Sequence, residues 1–187
     1  MISASDFRKG VTIEWEDGVW NIVDFQHVKP GKGAAFVRVK LRNVKNGNVQ
    51  EMTFRGDEKI EEAYIEERKL QYQYASGGMF YLMDQDNYEE ISINEKDMGD
   101  KVKFLLDNIE VTACFFKNEV LTVNLPNFIE VRIKHTEPGI KGDTAKSGTK
   151  PAEIETGTMV QVPLFIEIGD TIKVDTRSGG YVERINK

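Results

Sequence analysis

The chain has 187 residues and a mass of 21.3 kDa, with 40% apolar and 30% charged side chains, a composition that excludes wholesale disorder and fibrous structure. Its longest apolar run, Met79 to Met83, is five residues, where a spanning helix needs roughly 20, and the early charges Asp6, Arg8 and Lys9 break any secretory leader. The expected location is therefore the cytoplasm, with no membrane partner.

In chain order the signals are those of short strands and glycine turns. Val11, Ile13 and Trp15 share one face, Glu16-Asp17-Gly18 turns the chain, and Val19 to Phe25 returns. A second hairpin runs from Val37 to Val44, reverses at Lys45-Asn46-Gly47-Asn48, and comes back through Val49 to Phe54. The Asn-Gly pair supplies the positive φ values that a tight reversal needs. Two stretches read as helix, Asp57 to Ala63 and Glu95 to Asn108; the second has Val102, Leu105 and Leu106 at helical spacing and is expected to cap a barrel.

Between them lie Leu70 to Tyr74, a turn at Ser76-Gly77-Gly78, and Phe80 to Leu82, followed by a hairpin of Ile109 to Phe116 and Val120 to Leu125. The last third has Ile129, Val131 and Ile133, a long glycine-rich loop, and then Met159 to Ile166, Thr171 to Asp175 and Tyr181 to Ile185. Strands at this spacing predict an all-β fold of small antiparallel barrels. The expected boundaries are 1–63, 64–127 and 128–187. Barrels of that size are marginal alone, so at least one apolar contact between them is expected.

Charge follows the same thirds. Residues 1 to 63 carry ten basic and ten acidic side chains, 64 to 127 carry six and twelve, and 128 to 187 carry nine and nine, so the middle third accounts for the net −6. From Gln26 to Gln50 there are six basic residues (Lys29, Lys32, Arg38, Lys40, Arg42, Lys45) and no acid, a candidate phosphate-facing surface as well as an ordinary solvated strand face. The acidic middle third is expected to face protein or solvent.

Searches for enzymatic chemistry fail one by one. His27 and His135 open no zinc-binding helix, and the single cysteine, Cys114, sits in an apolar run as a core thiol. Gly31-Lys32-Gly33 lacks the third glycine of a dinucleotide fingerprint, and Ala145-Lys146-Ser147 lacks the glycines of a phosphate loop. No catalytic residue, metal ligand or cofactor is assigned.

The informative segment is Val28-Lys29-Pro30-Gly31-Lys32-Gly33-Ala34-Ala35-Phe36. Pro30 stiffens the approach, and Gly31 and Gly33 can take positive φ, which leaves Lys32 alone at the tip of a reversal. The flanking strands, Asn21 to Val28 and Ala34 to Arg42, would make an arm of roughly 26 Å at ~3.3 Å per residue. A stiff arm ending in one long cationic side chain suits insertion into a crowded anionic cavity.

Several runs in fixed order then resemble the bacterial elongation factor P family along the whole chain. They are Phe25-Gln-His-Val-Lys-Pro-Gly-Lys32-Gly-Ala-Ala-Phe36, Val39 to Asn43 with Met52-Thr-Phe-Arg55, Gly142-Asp-Thr-Ala145 to Lys150-Pro-Ala152, and Gly169 to Gly179 closing with Tyr181-Val-Glu-Arg184. The resemblance implies an SH3-like, KOW-type barrel followed by two OB-type barrels in an L-shaped, tRNA-like arrangement. It also implies a non-enzymatic translation factor, acting as a monomer, that binds both ribosomal subunits beside the peptidyl-tRNA and relieves stalling at consecutive prolines.

By the same resemblance, Lys32 is the position that a lysine-modifying enzyme extends, and Lys29, Pro30, Gly31, Lys32 and Gly33 form the loop facing the P-site tRNA. Gly142, Asp143, Thr144, Ala145 and Lys150 match a loop that meets the messenger RNA codon in the exit site; Lys146 and Ser147 depart from the glycine-heavier versions of that loop. Arg38, Lys40, Arg42, Tyr181 and Arg184 are further candidate RNA contacts. The alternative is a KOW and OB RNA-binding module that acts outside the ribosome.

Overall fold

The computed structural model describes residues 1–31, 33–139 and 148–185. The chain is all-β, with three antiparallel sheets in sequence order. Contact density divides it into two compact units, one of Met1–Glu67 with Cys114–Thr122, the other of Arg68–Ala113 with the described residues from Val123 onward.

The first sheet holds β1 (Ile2–Ser3), β2 (Thr12–Trp15), β3 (Gly18–Val28), β4 (Phe36–Asn43), β5 (Val49–Arg55) and β6 (Lys59–Glu62), in the spatial order β1-β6-β2-β3-β4-β5. Alternation explains its curl. Val37, Val39 and Leu41 point inward to meet Ile13, Ile22 and Phe54, while Arg38, Lys40 and Arg42 stay outside. Phe54 anchors this core, edge-on to Phe7 at 5.6 Å and to Trp15 at 4.7 Å between ring centroids.

The helix expected over Asp57 to Ala63 is instead β6. Ile60 is buried between exposed Lys59 and Glu61, and β6 pairs with β1 through Ile2↔Ile60 and with β2 through Ile13↔Glu62. Two ladders outweigh the helical spacing of Ile60 and Ala63, because each satisfies backbone groups that a seven-residue helix would leave open at its ends.

The second sheet holds β7 (Glu66–Ser76), β8 (Met79–Asp84), β9 (Glu90–Asn94), β10 (Glu110–Phe116) and β11 (Glu119–Asn124), ordered β11-β10-β7-β8-β9. Leu70, Leu82 and Ala113 are fully buried in it. Cys114 is buried as well, and burial pushes its thiol above the ordinary value. Burial comes first among the causes, with the charge of Glu67 second.

The helix expected over Glu95 to Asn108 is shorter. One α-turn, α1 (Glu95–Met98), is capped by Asn94, whose Oδ1 accepts from the Asp97 N–H at 2.9 Å; a 3-10 segment then runs over Gly99–Phe104. Gly99 lies at φ +56°, which ends the α-turn. The 3-10 segment carries Phe104 into the core of the last sheet. Its Lys103 carbonyl accepts from both the Thr156 and Thr158 hydroxyls, at 2.7 and 2.9 Å.

The third sheet holds β12 (Phe128–Thr136), β13 (Thr149–Ile154), β14 (Met159–Pro163), β15 (Thr171–Asp175) and β16 (Gly180–Ile185), ordered β14-β13-β12-β15-β16. Leu106, Ile109 and Leu125 pack beside Phe104 against its apolar core, so the middle and last thirds share an apolar contact. The glycine-rich loop expected to reach Ala152 stops earlier, because residues 149 to 152 belong to β13. Pairing Lys150↔Val162 and Ala152↔Val160 puts Lys150 and Ala152 on the inward face.

Candidate RNA-facing loop and surface

The β3–β4 hairpin makes the arm. Eight pairs join its strands, from Trp20↔Asn43 to Val28↔Phe36, with one shift of register between Ile22 and Asp24. The shift gives β3 an extra residue and adds local twist. Beyond Val28 and Phe36 the described loop residues Lys29, Pro30, Gly31, Gly33, Ala34 and Ala35 are all exposed. Lys32 lies outside the described residues.

The two glycines differ. Gly33 sits at φ +121°, and a Cβ there would meet Pro30 Cγ at 3.6 Å; Gly31 has no positive φ and open space around it. Only Gly33 needs glycine for its backbone, which corrects the equal role expected for both. The base of the loop is tied to the barrel, since the Gly56 N–H donates to the Ala35 carbonyl at 3.1 Å.

Arg38, Lys40 and Arg42 are exposed along β4, but the register changes their electrostatic meaning. Lys40 is directly opposite Asp24 on β3 and Glu51 on β5, whereas Arg38 is opposite Gln26 and Thr53, and Arg42 opposite Asn21 and Val49. Asp24 is held below the ordinary carboxylate range, chiefly by the hydrogen bond from Lys9, whose Nζ is 2.8 Å away. The Phe25 N–H and the charges of Lys9 and Lys40 add to that effect. A shallow groove of about 200 Å³ runs between Asp24, Gln26, Arg38, Lys40 and Glu51. The acid-free segment of the sequence is thus not an acid-free surface.

The same register brings in a residue not among the expected contacts. Arg55, opposite Phe36 on β5, is exposed on the face that carries Arg38. Its signal in the sequence was the alternation of exposed Thr53 and Arg55 around buried Phe54.

In the third sheet Lys150 is only 8% exposed, and its ammonium donates to the Glu137 carbonyl at 2.6 Å. Gly142, Asp143, Thr144 and Ala145, with Lys146 and Ser147, lie outside the described residues. Tyr181 packs, partly buried, against the apolar core. Arg184 is half-exposed and pairs with Asp170 at 2.8 Å.

Comparison with known proteins decides the family. Sequence models of three regions match in succession: the elongation factor P KOW-like domain over residues 3–60, its OB domain over 65–123, and its C-terminal region over 129–184. Elongation factor P of Thermoanaerobacter sp. (strain X514) is 54% identical over 185 residues, covering 99% of this chain and all of that protein. The chain belongs to the elongation factor P family.

Its fold extends to more distant solved structures. The eukaryotic translation initiation factor 5A from Methanococcus jannaschii superposes with a TM-score of 0.50 at 23% identity, covering 67% of this chain and 90% of that one. An eIF-5A family protein from Naegleria fowleri superposes with a TM-score of 0.55 at 15% identity, covering 66% and 96%. As a member of the elongation factor P family the chain is a translation factor and not an enzyme. Among the described residues no helix is long and apolar enough to cross a membrane.

Proposed function

We propose that the chain binds the cytoplasmic ribosome, touching both subunits beside the peptidyl-tRNA, and stimulates peptide-bond formation where consecutive prolines stall it. Residues 29–33 face the P-site tRNA and carry Lys32, extended by a modifying enzyme, toward its acceptor end. Residues 142–145 face the exit-site codon, and modules 1–63, 64–127 and 128–187 work as one monomer. The observation that carries this reading is the exposure of loop residues 29–31 and 33–35 on a two-stranded arm, rooted by the Ala35–Gly56 hydrogen bond. The elongation factor P identity of the whole chain supports it.

The mechanism is positional. A prolyl nucleophile is a hindered secondary amine, and its reaction is slow when donor and acceptor wander. Holding the peptidyl-tRNA end against a stiff arm removes part of the entropic barrier without any proton transfer by the protein. The strands supply stiffness, Gly33 supplies the reversal, and Lys32 supplies the reach.

The test uses ribosomes stalled on a Pro-Pro template. Lys32→Ala should still bind them while losing most of the acceleration of the next peptide bond. Equal acceleration by Lys32→Ala and the parent would remove the tip from the mechanism.

A further inference from the structure

We infer that Asn46 is a self-modification site, at which the chain converts its own side-chain amide to a carboxylate with water as the co-substrate, and that the Asn43 side chain restrains the reaction. The inference goes beyond the reading above. It concerns the turn between β4 and β5, at the other end of β4 from the exposed loop.

Asn46 is the only asparagine of the chain that precedes a glycine. In such a pair the glycine's backbone nitrogen can attack the asparagine Cγ within the same chain, and the missing Cβ leaves that nitrogen unhindered. The Gly47 N–Asn46 Cγ bond forms, the Cγ–Nδ2 bond breaks, and ammonia leaves as the Gly47 nitrogen gives up its proton. Water then opens the cyclic imide on either side. Breaking the new N–Cγ bond yields aspartate, and breaking the bond to the backbone carbonyl yields isoaspartate. One amide and one water become one carboxylate and one ammonium, with no change of oxidation state.

The turn holds what this reaction needs. Asn46 and Gly47 are exposed, a Cβ at Gly47 would meet nothing within 4 Å, and Gly47 lies at φ +73°. The Asn48 N–H donates to Asn46 Oδ1 at 2.9 Å, so it draws electron density from Cγ and stabilises negative charge that develops on that oxygen. One bond opposes the attack: the Gly47 N–H donates to the Asn43 carbonyl at 2.9 Å, and the nitrogen must leave that bond to become a nucleophile. Asn43 keeps the turn closed, since its Oδ1 accepts from the N–H groups of both Lys45 and Asn46, at 2.9 and 3.1 Å. Local opening of the turn, not global unfolding, therefore sets the rate.

Asp17-Gly18 is the comparison, because its glycine could close the same imide. Gly18 is paired opposite Trp15, and a Cβ there would lie 2.8 Å from Trp20 Nε1, so its nitrogen is fixed in packed strand. Both pairs line one groove of about 530 Å³, together with Glu14, Glu16, Glu119 and Lys45. Conversion at Asn46 adds a carboxylate to an already acidic groove, and the isoaspartate form also lengthens the backbone of a turn that fixes the β4–β5 register.

The experiment ages the full-length protein in buffers of rising pH, digests samples with pepsin in acid to stop the reaction, and maps them by mass spectrometry. Isoaspartate is counted by methyl transfer from S-adenosylmethionine with an isoaspartyl methyltransferase. The amide-to-acid mass change should accumulate at Asn46 before any other asparagine, faster at higher pH, with more isoaspartate at 46 than at 17. Asn46→Gln should abolish it at that position. Asn43→Ala should speed the change at Asn46 and leave the other asparagines at the parent's rate, while Asn43→Asp, which keeps the acceptor oxygen, should age like the parent. Earlier change at another asparagine, an unreactive Asn46, or more isoaspartate at 17 would overturn the site. An equal rate in Asn43→Ala and the parent, or an acceleration spread over all asparagines, would overturn the restraint.

Discussion

Lys150 Nζ donates to the Glu137 backbone carbonyl at 2.6 Å, and with the Thr136 hydroxyl, which donates to the Pro151 carbonyl at 3.0 Å, it ties β13 to the end of β12. A cation this buried acts on protein backbone instead of on solvent-exposed RNA. Gly139, two residues after Glu137, admits no side chain, because a Cβ there would collide with the Leu164 carbonyl oxygen.

Lys150→Ala should therefore register in stability. It strips the packed stem and leaves the Glu137 carbonyl without its donor, at a cost of about 1–3 kcal/mol. Urea unfolding should show a lower midpoint with an unchanged slope. A midpoint equal to the parent's would mean that the bond contributes nothing.

Two substitutions separate core packing from surface charge. Phe54 is 1% exposed and meets Phe7 and Trp15 edge-on, so Phe54→Ala should cost about 3–5 kcal/mol. Lys117 contacts both oxygens of Glu14, at 3.0 and 2.9 Å, but its side chain is 66% exposed. Lys117→Ala should change stability by no more than about 1 kcal/mol. The same denaturation series checks both, and a larger loss from Lys117 than from Phe54 would contradict the account of the core.

Asp175 offers a pH signature. The Arg177 guanidinium hydrogen-bonds both of its oxygens, at 3.0 and 2.6 Å, and holds its pKa down to about 2 from an ordinary 3.8. A depressed carboxylate stabilises the fold fully above the unfolded value near 3.8 and loses that contribution as pH falls through about 2. Carboxyl-carbon NMR should place its midpoint near 2, and Arg177→Gln should move the midpoint up toward 3.8. A midpoint that ignores the substitution would assign the shift to another cause.

The two loop glycines should part company in the Pro-Pro assay. An L-residue at the φ of +121° found for Gly33 is strained, by about 1–3 kcal/mol, while Gly31 has open space and no positive φ. Gly33→Ala should therefore lose more rescue than Gly31→Ala. Equal loss from both would show that the backbone angle at residue 33 does not set the loop.

Much of the fold was legible because alternation and turns are local. Val37, Val39 and Leu41 against Arg38, Lys40 and Arg42 gave a strand with one wet face, and the family motifs followed from residues in fixed order. The helix expected over Asp57 to Ala63 is a strand because its pairing with Ile2 and Ile13 is non-local. Lys150, beside glycine-rich sequence, read as loop until its register opposite Val162 turned it inward.

Sequence by itself determined the all-β character, the glycine-bounded loop that carries Lys32, and the family. Tertiary structure alone decided which charges become neighbours: Lys40 is far from Asp24 and Glu51 along the chain but opposite both across the sheet. Charge acts through space, and neighbours in space are set by register.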